Sequence, residues 1–329
     1  MTGESSVLRT NIAGVMLRNP VILAAGTHGT LDEFNEVCPL DRVGALVTKS
    51  ITPEPRDGNP TWRVIPARAG MINAIGLANP GIARFERHLA ERLASVPTMV
   101  IGSVAGFSID DYVRVVAGFE QVAAVAVNGS GSSGAGLELV ELNVSCPNVR
   151  TGTEFGHTPA LIRELLLAVR PAAPRLKLIV KLSPVCHDIV AVAKAAIEAG
   201  AEALTICNTI PAMAIDVESR RPRLANITGG LSGPAIHPVA LRLVHEVYRK
   251  VTKDAHGTGR AVPIIGAGGV TNWRDAAEFI LAGASAVEIG TALFADPRAP
   301  LKVVRGLERW VIRQRAATIS ELVGSMISS

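Results

Sequence analysis

What this chain of 329 residues lacks narrows its function first. Cysteine is scarce: only Cys38, Cys146, Cys186 and Cys207 occur. None forms a C-x-x-C, and no Cys/His spacing matches a zinc site or an iron–sulfur cluster. A reducing cytoplasm with free thiols is the expected setting, and Cys38, Cys186 and Cys207 are expected to be small buried hydrophobes. Charge of one sign is nearly absent in excess. The 33 basic and 29 acidic residues leave a net +4, and the basic residues are scattered. Nucleic acid and polybasic membrane contacts are therefore not expected. No apolar run approaches the roughly 20 residues that span a bilayer. The nearest, residues 113–127, is broken by Arg114, Glu120 and Gln121. The opening MTGESSVLRT has no charged-then-apolar leader pattern. No G-x-G-x-x-G follows the first predicted strand, which argues against a Rossmann nicotinamide site.

What is present is a rhythm. Hydrophobic residues make up 48% of the chain and charged residues 19%, enough for a sizeable core. Eight strand-like runs occur: VILAA (21–25), ALVTK (45–49), TMVIGSV (98–104), LELVELN (137–143), KLIVKL (177–182), ALTIC (203–207), VPIIGA (262–267) and AVEIG (286–290). Each is a continuous apolar run rather than an alternating one, as strands buried on both faces of a parallel sheet require. Helical patterns lie between and after them, beginning with LDEFNEVC (31–38) and ending with APLKVVRGLERWVIR (299–313). Several open on Asp, Thr or Asn caps, and two close on Gly200 and Gly283. Eight βα pairs predict an α/β fold of the (β/α)8 TIM-barrel type, one domain over residues 1–329. Long inserted loops follow strands 2 and 6, at 50–80 and 208–234, and belong on the C-terminal face where barrel enzymes do their chemistry. The Gly/Ser stretch 128–136 reads as a loop on the opposite face.

Polar residues and glycines gather at the C-terminal ends of the predicted strands: Ala25, Lys49, Ser50, Ser103, Asn143, Lys181, Cys207, Asn208, Thr209, Gly268, Gly269, Gly290 and Thr291. Glycines after the seventh and eighth strands would let backbone N–H groups approach a phosphate. Lys181 would sit in an apolar barrel, either as a cation beside an electron-rich ring or within a salt bridge. Lys49 suits an anionic substrate group. Asn73, Asn143, Asn148 and Asn208 suit a flat polar heterocycle. Cys146, in a loop after ELNVS, can take a proton if its thiol pKa is slightly depressed. With no histidine in its motif it makes a poor hydrolytic nucleophile, although His157, eleven residues on, leaves that alternative open.

KSITPEPRDGNP (49–60), GMINAIGLANPG (70–81), ELNVSCPNVRTGTEFG (141–156), VKLSP (180–184), CNTIPAM (207–213), GGLSGPAIHP (229–238) and PIIGAGGV (263–270) together resemble the class 1 dihydroorotate dehydrogenases over most of the chain. NVSCPNV and GGLSGPAIHP look most like the 1B catalytic subunit. The resemblance implies a barrel that holds FMN and oxidises dihydroorotate to orotate in pyrimidine synthesis. It places Cys146 as the catalytic base. It places Lys49, Asn73, Ala74, Ile75, Gly76, Leu77, Asn143, Asn208 and Thr209 against the substrate. It places Ala25, Lys49, Ser50, Ser103, Asn143, Lys181, Cys207, Gly233, Gly268, Gly269, Gly290 and Thr291 against FMN. It further implies a homodimeric core and an iron–sulfur/FAD electron-transfer subunit as partner.

The chain departs from the family pattern at four places. Ala25 stands where a serine is frequent, Ser103 where an asparagine is, and Cys207 where an isoleucine is. THGTLDEF (27–34) lacks the usual aromatic-glycine pattern. These changes bear on flavin potential or electron acceptor. The alternatives are a dihydropyrimidine dehydrogenase-like module, a fumarate-using homodimer, and a barrel that binds flavin without catalysis.

Overall fold

The computed structural model describes residues 6–127, 136–144, 155–253 and 261–327. Its strands, in chain order, are β1 (Thr10–Ile12), β2 (Val15–Leu17), β3 (Val21–Leu23), β4 (Ala45–Val47), β5 (Val64–Ala67), β6 (Gly70–Asn73), β7 (Met99–Val104), β8 (Gly136–Asn143), β9 (Lys177–Leu182), β10 (Ala203–Ile206), β11 (Ile210–Met213), β12 (Ile215–Asp216), β13 (Arg221–Pro222), β14 (Thr228–Ser232), β15 (Ile264–Ala267) and β16 (Ala286–Ile289). The helices are α1 (Ile82–Leu93), α2 (Ile109–Val127), α3 (Pro159–Val169), α4 (Ile189–Glu198), α5 (His237–Val247), α6 (Trp273–Ala282), α7 (Ala292–Ala295) and α8 (Ala299–Arg313). β3, β4, β7, β8, β9, β10, β15 and β16 close into a parallel barrel in that order. These are the eight strand-like runs of the sequence.

Side-chain alternation splits the core in two. Outward residues such as Leu23, Leu46, Val100, Leu142, Val180 and Ile289 pack beneath the helices. Inward residues, among them Ile22, Ala45, Met99, Leu139, Ile179, Ala203, Ile265 and Ala286, fill the barrel. Ile12, Val15 and Leu17 of the β1–β2 hairpin join this inner cluster, so the hairpin stops the N-terminal end of the barrel. Thr158, Asp188 and Asn272 cap α3, α4 and α6 by accepting from backbone N–H groups two or three residues on, as their residue types suggested.

One predicted helix does not form. Residues 31–38 make turns, not a helix. An eight-residue amphipathic pattern is short for an independent helix. Here Glu33 accepts from the N–H groups of Thr30 and Leu31, while Asn35 accepts from Leu40 N. These side chains compete for the backbone and fold it into a loop.

The two long insertions do lie after the second and sixth barrel strands, and they meet. β5 and β6 form a hairpin, and β14 pairs antiparallel with both β6 and β11, giving a four-stranded sheet in the order β11-β14-β6-β5. Ile65, Ile72, Ala74 and Leu224 form its own small core. This sheet is a wall standing beside the barrel mouth. Among the described residues no helix is long and apolar enough to cross a membrane. The stretch 128–135 lies outside the described residues.

Candidate active site

A cavity opens at the C-terminal end of the barrel. Most of the residues singled out from the sequence line it: Ala25, Lys49, Ser50, Asn73, Ile75, Gly76, Leu77, Asn143, Lys181, Cys207, Asn208, Thr209, Gly233, Gly268, Gly269, Gly290 and Thr291. Two do not. Ala74 is fully buried in the core of the wall sheet, where its carbonyl accepts from Asn59 Nδ2. Ser103 is also fully buried, and its hydroxyl lies 2.9 Å from that of Ser50. Ser103 therefore holds Ser50 from behind. Cys146, Ser145 and Asn148 lie outside the described residues. His157 is exposed.

The strands place the polar groups. Asn143, the last residue of β8, stands in register with Lys181 of β9. Asn208 Nδ2 donates to Asn143 Oδ1 at 3.1 Å, and Asn143 Nδ2 donates to Ser50 Oγ at 3.3 Å. Ser103 completes the chain. Asn208 Oδ1 accepts from Thr209 N at 2.8 Å, and the Tyr112 hydroxyl donates to the Asn143 carbonyl at 3.0 Å. Three elements thus fix one row of amides along the mouth. From the wall sheet, Asn73 Nδ2 donates to Gly230 O at 3.2 Å. Thr291 Oγ1 donates to Ser232 Oγ at 2.7 Å, tying the end of β16 to β14.

Glycine keeps the opposite side bare. At Gly269, φ is +71°, and a Cβ there would stand 2.9 Å from Gly233 O and 2.7 Å from His237 Cβ. Only glycine fits that bend without strain. Gly26, with φ +77°, leaves room for Lys49 Nζ, which a Cβ would meet at 3.1 Å.

The barrel floor carries the residues that sequence reasoning missed. Lys181 Nζ lies 2.6 Å from Glu288 Oε2 and 3.3 Å from Glu141 Oε1. Thr205 Oγ1 donates to Glu141 Oε2 at 2.7 Å. The salt-bridge reading of Lys181 holds, and its side chain also lines the cavity. The nearest acid in sequence, Asp188, caps α4 instead. The missed signal was an acidic residue in each of two otherwise buried strands, Glu141 and Glu288, since such residues need a partner. Burial works against the Lys181 charge, but Glu141 and Glu288 more than offset it, and its pKa is raised. Glu288 is pushed up to about 8, chiefly by burial and then by Glu141, against the pull of Lys181.

A stability signature follows. A carboxyl whose folded pKa lies above its ordinary value near 4.5 binds its proton better in the folded state. Its contribution is complete below the unfolded pKa and is lost as pH rises toward about 8. Glu288→Gln should flatten the fall in unfolding free energy over that window, measured by denaturant titration at a series of pH values. An unchanged profile would remove Glu288 as its source.

Two of the three thiols within the described residues, Cys38 and Cys207, are buried as expected. Burial raises Cys38 and Cys186 to about 11 and Cys207 to about 12, so Cys207 faces the cavity as a neutral thiol. Cys186 is only half-buried, its Sγ contacting Ser183 O. His28 is buried beside Val47 O, and burial lowers it to about 4, so it adds no charge near Lys49.

Chemically, the cavity offers a lysine with two carboxyl groups below, a row of neutral amides along one side, a second lysine, and bare backbone where β15 and β16 end. That donor set suits a polar ligand that carries negative charge.

The family model for dihydroorotate dehydrogenase matches residues 7–311. The chain is 45% identical over 320 residues to the protein named dihydroorotate dehydrogenase B (NAD(+)), catalytic subunit, of Pelobacter propionicus, covering 97% of this chain and 98% of that one. It is 44% identical to the protein of the same name from Desulforudis audaxviator, covering 95% of each. The fold resembles that of a dihydroorotate dehydrogenase from Eimeria tenella crystallised with ferulenol, with a TM-score of 0.79 at 22% identity over 99% of this chain and 90% of that one. With full-length relatives of this identity, the chain belongs to the dihydroorotate dehydrogenase family and stands with its B-type catalytic subunits.

Proposed function

We propose that this chain oxidises dihydroorotate to orotate through an FMN bound in the barrel mouth, as a step of pyrimidine nucleotide synthesis. The observation that carries the reading is the convergence on one cavity of Lys181, the amide row and the bare glycine turns. FMN, when bound, supplies the two-electron acceptor. Lys181 offers a fixed positive charge where the reduced ring accumulates negative charge. Ser50 and Asn143, held by Ser103 and Asn208, orient the ring's polar edge. Gly268, Gly269, Gly290 and Thr291 receive the phosphate.

Lys49 binds the substrate carboxylate. Asn73, Asn208 and Thr209 pair with the N–H and C=O groups of its ring, and Ile75, Gly76 and Leu77 close over its face. Cys146 removes the C5 proton. The relatives carry NAD(+) and "catalytic subunit" in their names, which supports a separate electron-transfer subunit, with an iron–sulfur cluster and FAD, delivering the electrons to NAD. The chain itself forms the homodimeric core of that assembly.

The test is anaerobic titration of the purified yellow protein with dihydroorotate. Stoichiometric bleaching of the flavin band is expected, with recovery on adding NAD and the partner subunit. Bleaching by dihydrouracil but not by dihydroorotate would replace the substrate. Recovery with fumarate alone would replace the acceptor. A colourless protein that takes up no FMN would end the reading.

A further inference from the structure

The cavity floor holds one more ionisable group than an ion pair needs. Glu141 and Glu288 are both buried, and one ammonium, that of Lys181, lies between them. Glu141 Oε1 and Oε2 have Lys181 and Thr205 as partners, and Glu288 Oε2 has Lys181. Glu288 Oε1 has no donor beside it. Glu141 raises the Glu288 pKa through its charge and through hydrogen bonding. A single ammonium neutralises a single carboxylate. The second negative charge must be carried in a buried site or cancelled by a proton. The flanking strands bring no charge: β3 and β15 set Ile22 and Ala267 in register with Glu288. Cys207, at the end of β10, keeps its proton, His28 is neutral, and Lys49 is the other cation of the cavity wall.

We propose that Glu288, which lines the cavity, is a proton store for the site: its carboxylate takes a proton from solvent when the bound flavin is reduced and returns it on reoxidation. The inference rests on the flavin reading of the cavity. A hydride entering the ring brings two electrons and one proton and leaves one extra negative charge. Protonation of Glu288 adds a second proton, so the site gains two electrons and two protons and its net charge is unchanged. Lys181 is already charged and has no proton to accept. Glu141 is already satisfied by Lys181 and Thr205. In this structure burial and then Glu141 push Glu288 up to about 8. The extra uptake therefore appears above about that pH, where the group starts out ionised, and is absent below it, where the proton is already in place.

Potentiometric titration of the FMN-loaded protein with dithionite and mediators, from about pH 6 to about pH 10, tests this. In a two-electron couple each proton is worth about 30 mV per tenfold change in proton activity. The wild-type slope of potential against pH should double above about pH 8, and Glu288→Gln should keep the one-proton slope throughout. In the same window the reduced-minus-oxidised infrared spectrum of wild type should gain a carboxylic-acid band that the variant lacks. Parallel potential lines, or a band that survives in the variant, would overturn the proposal. If Glu288→Gln does not fold, a wild-type line without a break overturns it just as well. Dithionite makes the result independent of the natural donor. Parallel lines in a flavin-loaded protein refute the proton store alone, and indifference to dihydroorotate refutes the substrate assignment alone.

Discussion

Cys146→Ser should bind FMN as wild type does and lose about 10²–10⁴-fold in the rate of flavin reduction by dihydroorotate, the usual scale for removing a general base. A serine hydroxyl preserves size and polarity but does not ionise near neutral pH, whereas a thiol near its ordinary value of about 8.5 does so within reach. The loss should fall on the reductive half-reaction only. Stopped-flow reduction under anaerobic conditions separates it from reoxidation, whose rate should be unchanged. The serine variant should also recover part of its activity as pH rises. Wild-type reduction kinetics in Cys146→Ser would assign the proton to another group. The three cysteines within the described residues are no substitutes, since burial holds each of them well above the ordinary thiol range.

Lys181→Met should have the largest effect on stability. The methionine fills the volume of the lysine stem but leaves Glu141 and Glu288 facing each other without a cation. Removing one partner from a buried ion pair costs about 3–5 kcal/mol, mostly as the penalty of the charge left behind. The deficit should shrink as pH falls, because the stranded Glu288 carboxyl, already raised in the folded state, gains stability by protonation. Denaturant midpoints at about pH 8 and about pH 5 measure this directly. The double variant Lys181→Met, Glu288→Gln should recover part of the loss at the higher pH, since the two sites share one network. Equal midpoints for wild type and Lys181→Met would mean that the floor is held by packing alone. FMN affinity should weaken in Lys181→Met as well, and the reduced flavin should be released more readily than the oxidised one.

The barrel was legible because its strands are buried on both faces. Runs such as KLIVKL have no polar alternation, and β9 occupies those six residues. Where the sequence reading ran past a strand, it did so at the mouth of four strands and at the opposite end of two, at Thr98 and at Val262 and Pro263. Ala24 and Ala25, Lys49, Cys207 and Gly290 leave the ladder because they form the cavity wall. The cavity-lining residues were legible at Lys49, Asn143 and Lys181, where a polar side chain closes an apolar run. They were not legible where the decisive contact joins distant strands. Glu141 and Glu288 reach Lys181 across 40 and 107 residues of sequence, and only barrel closure brings them together. The failed helix at 31–38 is the reverse case: the periodic pattern was present, but the side chains of Glu33 and Asn35 claimed the backbone first. Likewise, Ala74 and Ser103, which the resemblance sets against the ligands, are completely buried and do not line the cavity.

The pairing of β6 with β14 has a consequence for any attempt to divide the molecule. A fragment ending between β9 and β10 would keep the β5–β6 hairpin but lose the neighbour that covers Met71, Ile72 and Asn73. The row of amides and carbonyls so uncovered is a template for another chain. Half-barrels cut there would associate edge to edge instead of remaining dispersed, which makes this chain a poor source of modules for recombination. The same edge stays open during synthesis until Ser232 has left the ribosome.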